Sequence, residues 1–162
     1  MKKILALLSL AAAASCAAPH DYSAYNEGAG RYRSAQNALV GQNAPSLPGD
    51  VSWSSFGGRR VIVICLATWN KASVEAARRA EALVAAHPND LACIHVLSSV
   101  DANQAAAYAA KNGLKAQLVA DAEGLFRQAL GNDLFPDVYI VRCGKIEGAD
   151  LKEEEIAKAL GY

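Results

Sequence analysis

Two short runs constrain this chain more than any other feature. Val61 to Ala67 (V-I-V-I-C-L-A) and Leu91 to Leu97 (L-A-C-I-H-V-L) are continuously apolar and rich in β-branched residues, apart from His95. A strand that is apolar on both faces must be covered on both, which is the condition of a parallel sheet with helices packed against it. Between them, Asn70 to Ala86 carries Val74, Ala77, Leu83 and Val84 among Glu75, Arg78, Arg79 and Glu81, and stops before Pro88. That spacing predicts an amphipathic helix, so strand, helix and strand make a βαβ unit.

The pattern continues toward the C-terminus. Asp101 to Lys111 reads as an Ala-rich helix stopped by Asn112-Gly113, Gln117 to Ala120 as a third strand, and Glu123 to Leu130 as a short helical piece. Val138 to Val141 and Lys145 to Gly148 read as a hairpin turning at Cys143-Gly144, and Leu151 to Leu160 as a closing helix with Leu151, Ile156 and Leu160 inward. Parallel units followed by an antiparallel hairpin predict an α/β fold with a central mixed sheet flanked by helices on both faces. The domain is expected over residues 44–162, entered at Asn43-Ala44-Pro45 and anchored by Val51, Trp53 and Phe56.

The N-terminal part has a different character. Lys2-Lys3, the apolar run Ile4 to Leu10 and the small residues Ala11 to Ala14 form a secretory pattern, so residues 1–15 are expected to be a signal segment and the chain to be exported. Ala13-Ala14-Ser15-Cys16 resembles a bacterial lipobox, although Ala13 stands where Leu is usual. Lipidation at Cys16 would hold the protein at the cell envelope, whereas cleavage after Ala17 or Ala18 would leave it in the periplasm. Residues 16–43 lack any sustained period and are expected to be a tether, with Tyr22, Tyr25 and Tyr32 incidental to it; the alternative is that Tyr22 and Tyr25, at i and i+3, share a helical face and grip a partner. Lys plus Arg and Asp plus Glu both count 16, so no global field points toward nucleic acid, and none is expected as a partner.

Three stretches carry a family resemblance. Trp53-Ser54-Ser55-Phe56-Gly57-Gly58-Arg59-Arg60 leads into the first strand, Ala67-Thr68-Trp69 ends it, and Phe135-Pro136 precedes Val138 to Val141 and the turn Arg142-Cys143-Gly144-Lys145-Ile146. In this order over about 120 residues they resemble the thioredoxin-like thiol-disulfide oxidoreductases of the bacterial envelope, of the TlpA and ResA type. The resemblance implies a thioredoxin-like fold, a cis Pro136, and a groove at Trp69, Phe135 and Pro136 where an extended substrate segment pairs with backbone. It also implies two cysteines, separated by two positions, after Trp69. Here those positions read Asn70-Lys71-Ala72-Ser73.

An amide and an unactivated hydroxyl cannot form a mixed disulfide, whereas Asn70 is well suited to cap the helix that follows. Lys71 reads as a solvated charge. Cys65 and Cys93 fall within buried strands and read as small hydrophobes; Cys143, in a turn, is the candidate reactive thiol. His20, His87 and His95 form no set at metal-ligand spacing, so neither a metal nor a cofactor is expected. The resulting expectation is a redox-inactive binding module for a protein or peptide of unknown identity, rather than an enzyme. The alternative is a thiol-disulfide oxidoreductase or one-cysteine antioxidant enzyme using a displaced thiol, Cys143 or Cys65.

Overall fold

The computed structural model describes residues 32–132 and 134–162. The expected signal segment, Cys16, His20, Tyr22 and Tyr25 lie outside the described residues. Five strands, β1 (Arg60–Leu66), β2 (Leu91–Ser98), β3 (Gln117–Asp121), β4 (Asp137–Arg142) and β5 (Lys145–Gly148), form one sheet in the order β3-β2-β1-β4-β5. β1, β2 and β3 run parallel; β4 is antiparallel to β1 and to β5. The apolar run of β1 takes the central place, which is why Val61 to Leu66 are all buried.

Among the described residues the sheet is accompanied, after β1, by α1 (Lys71–Ala86), α2 (Ala102–Asn112), α3 (Leu125–Ala129) and α4 (Glu153–Leu160). Side chains of β1 alternate between the faces. Ile62, Ile64 and Leu66 pack with Ala77 and Ala80 of α1, Ala105 of α2, and Ile156 and Leu160 of α4. Val61, Val63 and Cys65 face the other way, onto Leu47, Phe56, Phe126 and Leu130. Both faces are therefore covered, the first by three helices and the second by α3, a 3-10 turn (Trp53–Phe56) and the chain leading into β1.

That leading chain corrects the expected boundary at residues 43 and 44. Residues 32–37 are helical, and Gln36 is buried. Its amide donates to the carbonyls of Leu130 (3.0 Å) and Gly131 (3.1 Å), and its Oε1 accepts from the Tyr139 hydroxyl (2.8 Å). The Tyr32 hydroxyl donates to Asp137, and Arg33 pairs with Asp150 at 2.9 Å. Backbone bonds from Gly41 to Ile146, Ile146 to Gln42 and Ala44 to Gly144 extend the sheet edge. Residues 32–43 are thus part of the domain, held by polar contacts that leave no hydrophobic period to read, and Tyr32 is not incidental.

The parallel strands all end at one edge, and because β4 runs the other way its start lies there too. The connections after β1, β2 and β3 and the loop before β4 therefore converge, the place where ligands of open α/β sheets gather. The hairpin turn lies at the opposite edge. Cys143 and Gly144 both have positive φ, 50° and 74°, as a two-residue turn of this hand demands.

Candidate functional site at the C-terminal edge of the sheet

The site is built first by the start of α1. Asn70 sits in extended backbone and its Oδ1 accepts from the N–H of Ala72 at 2.9 Å, the expected N-cap, worth about 1 kcal/mol. Its Nδ2 has a second partner that the sequence did not suggest, the carbonyl of Phe135. One side chain thus ties the first turn of α1 to the loop before β4. Ser73 is fully buried, and its Oγ accepts from the N–H of Ala67 at 3.3 Å, bracing the end of β1. Lys71 and Ala72 are exposed.

The bond between Phe135 and Pro136 is cis, as the resemblance implied. Phe135 is half-buried and packs on the core beside Cys65, while its ring meets the edge of Trp69 at 5.7 Å and 79°. Arg127, the middle residue of α3, places its guanidinium 5.9 Å from the centre of the same ring, within cation–π range. Trp69 remains 69% exposed despite its contact with Phe135. These residues, with Asn70, Ser99 and Leu134, line an open groove of about 390 Å³. Trp69, Asn70 and Phe135 were named from sequence; Ser99 and Arg127 were not, since they come from a further loop and a helix that only the fold assembles, and Leu134, beside Phe135 in the chain, was also missed.

Beneath the groove lies a carboxylate. Asp137 follows Pro136 directly and is buried, accepting from Tyr32 and lying 2.8 Å from the Tyr139 hydroxyl, whose single proton it shares with Gln36 Oε1. Burial raises its pKa above the ordinary carboxylate value, against the two phenol bonds, which work the other way. Its neighbour across the β1–β4 pair is Cys65. The acidic residue in an otherwise apolar strand was visible in the sequence and was the available signal for this network.

The thiols lie away from the first turn of α1. Cys65 is fully buried, and burial followed by the charge of Asp137 pushes its pKa well above that of an ordinary thiol. Cys93 is buried on the opposite face, and burial pushes it up to about 12. Cys93 pairs in register with Ile62, three residues from Cys65, so opposite faces and about 10 Å of strand length separate the two, which are not joined. Cys143 is exposed at the far hairpin, just past the end of β4 and about 20 Å of strand length from Asp137. His95 is buried under α1, with Nε2 3.0 Å from Glu81, whose Oε1 also accepts from the N–H groups of Lys115 and Ala116. That arrangement ties α1 to the start of β3 and lies outside the groove.

No family model matches this chain, and no curated protein matches it in sequence. Solved structures match it in fold. A protein of Chlorobium tepidum assigned as a thiol:disulfide interchange protein DsbE superposes with a TM-score of 0.65 at 17% identity, over 75% of this chain and 94% of that one. The thioredoxin domain of a thiol-disulfide oxidoreductase from Bacteroides vulgatus gives 0.65 at 14%, over 75% and 95%. A secreted disulfide oxidoreductase of Mycobacterium tuberculosis gives 0.53 at 16%, over 77% and 98%. With its strand order, cis Pro136 and capped α1, the chain has the thioredoxin-like fold of these thiol-disulfide oxidoreductases.

Proposed function

We propose that this protein is a redox-inactive thioredoxin-like module, exported to the cell envelope, that binds a protein or peptide through the groove at Trp69 and Phe135. The observation that carries the reading is the contrast within the first turn of α1. Asn70 and Ser73 are both committed to bonds that hold the scaffold, while the adjoining indole stays largely exposed. Exposed aromatic rings beside an arginine are the composition of binding hot spots. The export pattern at residues 1–15 and the fold likeness to a secreted protein support the envelope location, with Cys16 as the proposed lipid anchor. Among the described residues no helix is long and apolar enough to cross a membrane.

The displaced-thiol alternative has less support. Its only exposed thiol, among the described residues, is Cys143, on the far hairpin and so unable to share a substrate with the groove. Three measurements separate the readings. Thiol titration is expected to show Cys143 reacting in the folded protein and Cys65 and Cys93 only in denaturant, and the protein should not accelerate insulin reduction by dithiothreitol. Capture from envelope extract should then retain a partner on the wild type that Trp69→Ala loses. Insulin reduction above background, abolished by Cys143→Ser, would instead establish the enzyme.

A further inference from the structure

The edge of the sheet opposite the groove gathers cations in a way the fold does not require. Arg60 of β1 stands directly opposite Arg142 of β4, and Arg142 opposite Lys145 of β5, so three cations sit in one cross-strand row. Like charges directly opposed in a sheet are destabilising. Arg59 adjoins the row, and Glu147 answers only Arg60, at 2.8 Å. Arg59, Arg60 and Arg142 line a recess of about 250 Å³ that Asp90 also borders.

The guanidinium groups are held from behind. Arg59 donates to the carbonyls of Phe56 (Nε, 3.0 Å) and Pro88 (Nη1, 3.5 Å), and Arg142 to that of Gly58 (Nε, 3.3 Å). Arg60 donates to Glu147 through Nε and to the Leu160 carbonyl through Nη1 (3.3 Å). In all three, Nη2 has no partner among the described residues. Gly57 and Gly58, with φ of 62° and 80°, bring bare backbone to the recess, and an added Cβ at either would meet nothing within 4 Å. The N–H groups of Gly57 and Arg59 are taken by the carbonyls of Ser54 and Phe56, which leaves the Gly58 N–H as the open backbone donor; fixed arginine forks beside such a donor are the chemistry of phosphate recognition. The volume lies below the roughly 300–1,000 Å³ of drug-sized sites, so it suits one small anionic group.

We propose that this recess is a second binding site, for a phosphate group, carried either by a free phosphate or by the headgroup of an anionic phospholipid. It is independent of the groove at Trp69 and of whether that groove binds protein. The test follows backbone amide resonances of the full chain during titration with inorganic phosphate, against chloride at matched ionic strength. Saturable shifts are expected at Gly57, Gly58 and Arg59. Arg59→Gln and Arg142→Gln should each weaken binding about tenfold, the size of one lost charge-assisted contact. Glu147→Gln removes the competing carboxylate and should strengthen binding a few-fold, a gain that no folding defect would produce. A parallel arm compares vesicles of phosphatidylcholine with vesicles containing phosphatidylglycerol. Phosphate saturation identifies the free anion as sufficient. An excess on phosphatidylglycerol that Arg142→Gln removes, without phosphate saturation, identifies the headgroup. Failure of both arms, or shifts unchanged in the two arginine variants, overturns the proposal.

Discussion

Gln36→Ala tests whether residues 32–43 are structure or tether. The glutamine amide supplies two donors, to the carbonyls of Leu130 and Gly131, and one acceptor, to the Tyr139 hydroxyl. Alanine removes all three bonds, each worth about 0.5–1.5 kcal/mol net. Tyr139 keeps Asp137 as an acceptor, so its loss is the smallest; the Leu130 carbonyl loses its donor in a buried place. The expected destabilisation is therefore about 2–4 kcal/mol. With a urea m-value of about 2 kcal/mol per molar, the midpoint should fall by about 1–2 M. A change in a solvated tether would stay within about 0.5 kcal/mol. A double-mutant cycle with Tyr139→Phe sharpens the assignment, because a direct bond between the side chains should couple by at least about 0.5 kcal/mol. A midpoint unmoved by Gln36→Ala, or strict additivity in the cycle, would refute the packing of this segment.

The remaining predictions address charge, positions 70 and 73, and the proposed anchor. Because the folded state raises the pKa of Asp137, its contribution to stability is fully present below the ordinary value of 3.8 and is lost as pH rises through the folded value; Asp137→Asn should flatten that decline in pH-dependent urea melts. An Asn variant that follows the wild-type pH profile would remove Asp137 as its source. Asn70→Cys with Ser73→Cys should form an intramolecular disulfide and gain insulin-reducing activity, since α1 has no acidic residue in its first turn to oppose a thiolate there. Loss of the Asn70 cap costs about 1 kcal/mol, which the domain should tolerate, and a paired variant that stays reduced under mild oxidant counts against the assigned geometry. Cys16→Ser should move the protein from membranes to the soluble fraction, and a variant that stays with the membrane would refute lipid anchoring at that residue.

What the sequence disclosed and what it hid divide along one physical line. The elements are legible because their causes are local. The β-branched run of β1, the Asn70 cap, and the Asp101 and Gln104 capping box with Gly113 as the stop of α2 all act within a few residues. The groove and its support depend on partners far apart in the chain. Gln36 bonds to residues 94 to 103 positions away, and in a stretch of small polar residues such a side chain looks like linker until its partners are placed. The separation of Cys65 from Cys93 needed the β1–β2 register, which no composition specifies.

The same distinction bears on how the groove can be used. The resemblance implied that an extended ligand pairs with backbone at Phe135, and the helix-capping role of Asn70, read locally, left that possibility untouched. In the folded chain the Asn70 amide already donates to the Phe135 carbonyl. A ligand that adds as a strand must displace that amide and forfeit a bond worth about 1 kcal/mol before its own pairing counts. A ligand that engages Trp69, Leu134 and the open face of Phe135 through side chains incurs no such cost. Asn70 therefore does more than cap α1: its bond to the Phe135 carbonyl weighs against strand addition at this edge. Asn70→Ala, which releases the carbonyl, should strengthen binding of any strand-adding partner and leave a side-chain-only partner unaffected.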